Sequence, residues 1–322
     1  MNQTADIAYG RDAIISRKEL KPYVKRTNWH GMVWLGAHLA LLAATGALVV
    51  AALGTWWIVP ATLLHGGVMA FLFAPVHECS HRTPFRALWL NETVYWGLCL
   101  IYLVPPTFFR YSHAAHHTYT QIRGKDPDMV MPERSTVWDY IVYVSGVPFW
   151  ARNLSWYVEH ALGDVNPAQK YFLPVDEIPK VVREARIILA VYAGIAALAV
   201  ATGSWAPLTL WIIPRLVGEP VMRWIRIAEH AECAEGGDLT VNTRTTKAMT
   251  WMRLLFWNMP YHAEHHLCPM VPFHALPELS TKVGDKLHCK GEGYVEVHAD
   301  VLTKLARHEG VTWAEPERAP GA

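Results

Sequence analysis

The chain has 322 residues and a mass of 36.3 kDa; hydrophobic residues make up 52% of it, charged residues only 18%, and Trp occurs 15 times. That balance excludes an ordinary soluble globule and points to a lipid bilayer. A formal net charge of +1, with no long Lys/Arg run, excludes an electrostatic case for nucleic-acid binding.

The N-terminal stretch MNQTADIAYGRD lacks the basic-then-apolar shape of a secretory signal. Gly31 to Leu53 and Trp56 to Val76 then contain no Asp, Glu, Lys or Arg. Each is about 20 residues, enough to cross roughly 30 Å of hydrocarbon. Only Gly54 and Thr55 separate them, so they are expected to form a membrane hairpin with Trp56 and Trp57 at an interface. Val94 to Phe109 and Val137 to Val158 are too short or too mixed to cross and are expected at the interface, with a re-entrant turn open for the first. Ile187 to Ile213 is again uncharged. Gly203, Ser204 and Pro207 divide it into a third span, about 187–203, and a fourth, about 206–225. Arg17, Lys18, Lys21, Lys25 and Arg26 precede the first span, whereas the turns at 54–55 and 203–207 are uncharged, so both termini are expected in the cytoplasm. The expected fold is an all-α integral membrane protein: four transmembrane helices in two hairpins, with a cytoplasmic helical cap (77–186 and 226–322), together one domain over 1–322. Five Cys, at 79, 99, 233, 268 and 289, include no C-x-x-C pair, so reduced thiols are expected rather than a disulfide framework.

The 17 His are clustered. Three groups stand out: His77-Glu-Cys-Ser-His81, His113-Ala-Ala-His116-His117 and His262-Ala-Glu-His265-His266. Residues three and four apart share a helix face, so each group presents its imidazoles together, while Cys79 points elsewhere. Under the expected topology all of these histidines fall on one side of the membrane. Eight imidazoles are too many for one ion and fit two, although imidazole alone does not choose between Fe, Zn, Cu and Ni.

The order H-x-x-x-H, H-x-x-H-H, H-x-x-H-H between two apolar hairpins resembles the membrane fatty acid desaturase superfamily. So does Asn258-Met-Pro-Tyr-His-Ala-Glu-His-His-Leu-Cys-Pro-Met-Val-Pro-Phe-His274, and so does His117 followed by Asp126-Pro-Asp128. The resemblance covers roughly residues 30 to 280. It implies two Fe ions held by histidines, dioxygen activation, a lipid or acyl substrate, and electrons from a separate protein such as a ferredoxin or small cytochrome. It also implies a ninth ligand between the second and third boxes, for which His230 is the candidate. Some members carry an Asn one turn earlier, where this chain has Arg226. A desaturase and a hydroxylase or carotenoid ketolase share the pattern, so insertion of oxygen stays open beside formation of a double bond.

Two other classes compete. Glu78 makes the first group read H-E-x-x-H, the pattern of a zinc protease with Glu as general base, but that would leave six clustered histidines unused. A non-enzymatic metal-storing or metal-transporting membrane protein is the other; a transporter should place its ligands within its spans, whereas these lie beyond the expected span ends. His38 and His65 lie within spans and suggest polar packing, and His160, His274, His288 and His298 are expected at the surface or behind the ligands. Glu264 is expected at most to support an imidazole. Arg215 and Glu219 fall within the fourth span at i, i+4 spacing. They fit either a mutual ion pair or a polar substrate group.

Overall fold

A computed structural model describes residues 14–128, 136–166 and 169–307. It is helical almost throughout. The main helices are α1 (Trp29–Ala51), α2 (Ile58–Ala70), α3 (Phe73–Ser80), α4 (Leu88–Tyr102), α5 (Pro106–Tyr119), α6 (Val137–Val144), α7 (Val147–Leu162), α8 (Ile178–Thr202), α9 (Ile213–His230), α10 (Thr250–Leu255), α11 (His262–Leu267), α12 (Leu276–Val283) and α13 (Tyr294–Ala306). Two-residue strands β1 (Thr245–Thr246) and β2 (Lys290–Gly291) pair in parallel, Thr245 with Lys290 and Thr246 with Gly291. The chain divides into two compact units, one of residues 28–112 and 143–223, the other of 1–27, 113–142 and 224–322.

Among the described residues three helices are long and apolar enough to cross a membrane, all in the first unit: Trp29–Ala51, Ile58–Ser80 and Val175–Thr202. The second of these is broken at Phe71–Leu72, ahead of Pro75, whose ring removes a helical donor. Leu72 N turns back to Met69 O, and the His38 imidazole donates from Nε2 to Val68 O at 3.1 Å. The helix then continues past the expected end at Val76, so His77 lies inside α3 and His81 caps it instead of both following the span. The third candidate starts well before the expected residue 187. Its early turns carry Lys180, Arg183, Glu184 and Arg186.

Polar side chains in this unit serve backbone groups that water cannot reach. Leu208–Ile212 forms a π-helical turn. His65 donates from Nε2 to Leu210 O at 3.1 Å and accepts from the Thr45 hydroxyl at Nδ1, 2.8 Å away, because Leu210 O can only accept. These contacts account for both intraspan histidines as polar packing. The C-terminal carbonyls of α4, which have no intrahelical partners, each receive a side chain: Tyr192 Oη donates to Leu100 O, Trp211 Nε1 to Ile101 O, Arg215 Nε to Tyr102 O and Asn153 Nδ2 to Leu103 O. At the start of α5 the buried Glu184 carboxylate accepts from Thr107 N and Thr107 Oγ1, both at 2.8 Å. This places an acid at the positive end of the helix that carries the second histidine box. α2 and α9 cross backbone to backbone: a Cβ on Gly218 would lie 2.0 Å from Gly66 O, which only glycine allows.

The second unit is built around β1–β2, α11, α12 and α13, with the Trp257 and Phe273 rings 4.5 Å apart in its core. Glu264 accepts from Thr245 Oγ1 and from Ser280 Oγ, the latter at 2.5 Å, so this buried acid braces α11 against β1 and α12 instead of supporting an imidazole. Against the expectation of reduced thiols, Cys233 and Cys289 form a disulfide with Cα atoms 6.1 Å apart. The 55 intervening residues hid that proximity in the sequence. Cys79, Cys99 and Cys268 are buried and lie outside any disulfide. His298 is also buried rather than superficial, stacked on Trp224 with ring centroids 4.1 Å apart and with Nδ1 2.9 Å from Tyr140 Oη. In the first unit His160 is likewise buried, with Nε2 3.1 Å from Gln169 Oε1.

Candidate metal centre

Seven of the nine candidate ligands belong to the second unit: His113, His116 and His117 on α5, His230 at the end of α9, and His262, His265 and His266 on α11. On α5 the i, i+4 pair His113 and His117 brings its Nε2 atoms to 3.1 Å, and His265 Nε2 lies 3.2 Å from His117 Nε2. His117 Nε2 therefore faces two other ring nitrogens at once. It cannot donate to both, because it carries at most one hydrogen.

His116 points to a different group. One nitrogen from each of His116, His230, His262 and His266 lies within 4.8 Å of the other three, and all four residues are buried. His230 Nε2 and His262 Nε2 are 3.3 Å apart.

Neighbours outside the boxes set which nitrogen each ring presents. His116 donates from Nδ1 to Asp126 Oδ1 at 2.8 Å, leaving Nε2 for a ligand. Asp126 is fixed in turn by Gln121 N at 2.9 Å and Asp128 N at 2.8 Å. The Thr120 hydroxyl donates to His116 O, so it accepts from His266 Nδ1, 3.1 Å away. The buried His266 Nε2 is then a lone pair without a hydrogen-bond partner among the described residues. Gln121 Nε2 donates to His230 O at 2.7 Å and holds the end of α9 in place. The sequence named Asp126 only through its Asp-Pro-Asp motif, and it did not reveal Thr120 or Gln121 at all.

The electrostatics favour neutral imidazoles at two of these positions. Burial, helped by neighbouring His116 and Arg226, holds His230 well below the usual histidine range. Burial also depresses His266, with the surrounding His117, His262, His116 and His230 adding to the effect. At His116 burial acts in the same direction but the Asp126 carboxylate outweighs it, so this ring is raised. Closely spaced buried nitrogens with outward lone pairs fit a divalent cation that prefers imidazole. The cation would relieve the unfavourable approach of acceptor to acceptor.

In the first unit, His77 is buried and His81 half-buried, with ring centroids 5.1 Å apart. Glu78 is fully buried and its Oε2 accepts from Thr83 Oγ1 at 2.7 Å, which anchors it as a structural group. Arg226 offers no lone pair; its Nη2 pairs with Asp128 Oδ2 at 3.2 Å. The Arg215–Glu219 pair also forms, with Nη1 2.6 Å from Oε2. The sequence reading missed its third member, Arg223, whose Nε lies 2.5 Å from Glu219 Oε1.

Known proteins resemble this chain along most of its length. The fatty acid desaturase family pattern matches residues 54–297. A dihydrorhizobitoxine desaturase of Bradyrhizobium elkanii is 28% identical over 315 residues, covering 91% of this chain and 84% of the relative. The sn-1 oleoyl-lipid 12-desaturases of a Picosynechococcus species and of Anabaena variabilis are 21% and 22% identical. Those alignments cover 82% and 74% of this chain and 67% and 73% of the relatives. With a match over most of its length, and with histidine clusters suited to metal, this oxidoreductase belongs to the fatty acid desaturase family.

Proposed function

We propose that this chain is a dioxygen-dependent di-iron desaturase of the membrane, forming a double bond in an acyl chain or a similar amphiphile. The observation that carries the reading is the buried four-histidine group His116, His230, His262 and His266, in a chain of the desaturase family. The full ligand set of the proposal is His77, His81, His113, His116, His117, His230, His262, His265 and His266, shared between two irons. Bound there, the irons would supply dioxygen reduction coupled to hydrogen removal, in which a –CH2–CH2– unit, O2, two electrons and two protons give –CH=CH– and two waters.

The chain's own residues prepare that chemistry. Asp126 keeps the His116 proton on Nδ1, and Thr120 does the same for His266, so each ring turns Nε2 to the metal side. Burial of all four rings excludes bulk water, which protects a strong oxidant from side reactions. Glu264 and Gln121 hold α11 and the end of α9, preserving ligand geometry. Electrons come from a separate carrier, a ferredoxin or small cytochrome.

In this reading four helices cross the bilayer, the fourth from about 206 to 225, with the termini and the metal site cytoplasmic. The basic residues before Trp29 support that orientation. The relatives' names span dihydrorhizobitoxine and oleoyl lipids, which supports an amphiphilic substrate without restricting it to lipid esters. The test is metal content with Mössbauer spectroscopy on anaerobically purified protein beside His116→Ala. Two irons per chain, lost or perturbed in the variant, support the reading, while one zinc and no iron would overturn it.

A further inference from the structure

In the second unit the Cys233–Cys289 disulfide lies between the elements that carry His230 and the third histidine box, and the metal chemistry makes no use of it. Cys233 stands three residues past His230, and its backbone N–H donates to His230 O at 3.2 Å in the turn that ends α9. On the other side, Cys289 O accepts from Thr245 N at 3.1 Å, where β1 meets β2. Thr245 Oγ1 in turn donates to Glu264 on α11, between His262 and His265. The buried four-histidine group takes His230 from α9 and both His262 and His266 from α11. One covalent bond therefore bridges the two supports of that group. Hydrogen bonds run alongside it: Arg244 donates from N to Glu229 O at 2.9 Å and from Nη1 to Ala228 O at 2.6 Å. Cutting the disulfide would loosen this junction without releasing it.

The bond can also be reached. Cys233 is 1% exposed, but Cys289 is only half-buried. Glu232 and Lys290, each next in the chain to one of the cysteines, line a cleft of about 500 Å³ together with Arg244, Asp300 and Lys304. Its walls carry both signs of charge: Lys304 pairs with Glu232, and Lys290 is exposed. A small zwitterionic peptide that carries a thiol would find partners there for its carboxylates and its ammonium group. On the cytoplasmic side, where the reading above puts the metal site, disulfides are seldom permanent, and those that form usually switch.

We propose that Cys233–Cys289 is a thiol-exchangeable crosslink that tunes metal retention. Closed, it holds the His230 turn against the support of α11; opened by a peptide thiol from the cleft, it lets the metal leave more readily. The peptide thiolate attacks Cys289 Sγ, the more reachable sulfur. The S–S bond breaks, and Cys233 Sγ leaves with the electron pair and takes a proton. A second peptide thiol attacks the mixed disulfide at the peptide sulfur and releases Cys289 as a thiol. The protein gains two electrons and two protons, and two peptide thiols become one peptide disulfide. The coupling rests on the metal-centre reading, whereas the exchange itself does not.

The test uses full-length protein purified in detergent with its iron, as wild type, Cys233→Ser and Cys289→Ser. Samples are equilibrated without oxygen in glutathione buffers that run from oxidised to reduced. One half of each is alkylated under denaturing conditions and weighed by mass spectrometry; the other is titrated with chelator to half loss of iron. Wild type should pass from three alkylated thiols to five, because two of its five Cys are joined. Over the same range its chelator midpoint should fall about threefold to tenfold, at or below the low end of what removing a group bonded directly to a ligand costs. Both Ser variants should begin at the lowered midpoint and keep it in every buffer, which separates the crosslink from any action of glutathione on iron itself. Should one variant fail to fold, the other decides. A wild type that stays at three thiols overturns the proposal, as does a Ser variant whose midpoint moves as far as that of wild type. Iron retained with an unmoved midpoint at five thiols also overturns it and leaves the desaturase reading intact. Protein that reaches five thiols but holds no iron defeats that reading, and the coupling with it.

Discussion

Replacing Asp126 with Asn separates the geometry of the metal centre from its electrostatics. The Asp126 carboxylate accepts from His116 Nδ1, Gln121 N and Asp128 N at 2.8–2.9 Å. Asn can still accept the His116 proton through Oδ1, but that bond loses its charge assistance. Bonds to charged groups contribute about 1.5–3 kcal/mol and neutral ones about 0.5–1.5, so the bond to His116 weakens by roughly 1–1.5 kcal/mol. Since 1.4 kcal/mol is a factor of ten, affinity for the proposed iron should fall about tenfold, at the low end of the range typical for carboxylates behind a ligating histidine. The amide Nδ2 would also face Gln121 N, donor against donor, at a residue that is 1% exposed. That penalty, about 1–3 kcal/mol, falls on metal-bound and metal-free protein alike. It should therefore appear in thermal stability and cancel from the iron titration. The assay is the chelator concentration that removes half the iron from wild type, Asp126→Asn and, as a control, Asp139→Asn, whose carboxylate only caps Thr136 at the surface. A lowered unfolding temperature with an unchanged chelator midpoint would refute the reasoning and reduce Asp126 to a loop anchor.

Three further outcomes follow from the same structure. Reducing Cys233–Cys289 opens a crosslink of sequence separation 56, which chain-entropy reasoning values at about 4 kcal/mol; unfolding scans with and without reductant should differ, and identical scans would mean that the bond adds nothing. Gly218→Ala should destabilise the fold by about 1–3 kcal/mol, read as a lowered unfolding temperature, because its Cβ meets the Gly66 backbone; a variant as stable as wild type would deny the close crossing of α2 and α9. His298 is held down to about 4, mainly by burial, so its folded value lies below the usual 6.5. The stability this contributes is present above about pH 6.5 and is lost as pH falls through 4, and His298→Phe should flatten that part of the stability–pH curve.

Local periodicity and hydropathy made several features readable without a fold. A span announces itself by about 20 uncharged residues. Imidazoles at i, i+3 and i+4 share a face wherever the helix goes. The two groups His113/His117/His265 and His116/His230/His262/His266 accordingly draw on positions marked in advance. What the sequence left open depends on approaches between distant segments. The histidines within α5 divide between two groups because its neighbours, His230 and α11, arrive on particular sides, and spacing along α5 says nothing about those sides. Asp126 and Thr120 select tautomers only once loop and helix meet. Arg223 joined Arg215 at Glu219 because burial concentrates charge that solvent would otherwise screen. The break after Ala70, the π-turn at Leu208–Ile212 and the Cys233–Cys289 bond are likewise tertiary outcomes. Each is stabilised by a partner tens to more than a hundred residues away, at a distance along the chain that no local pattern encodes.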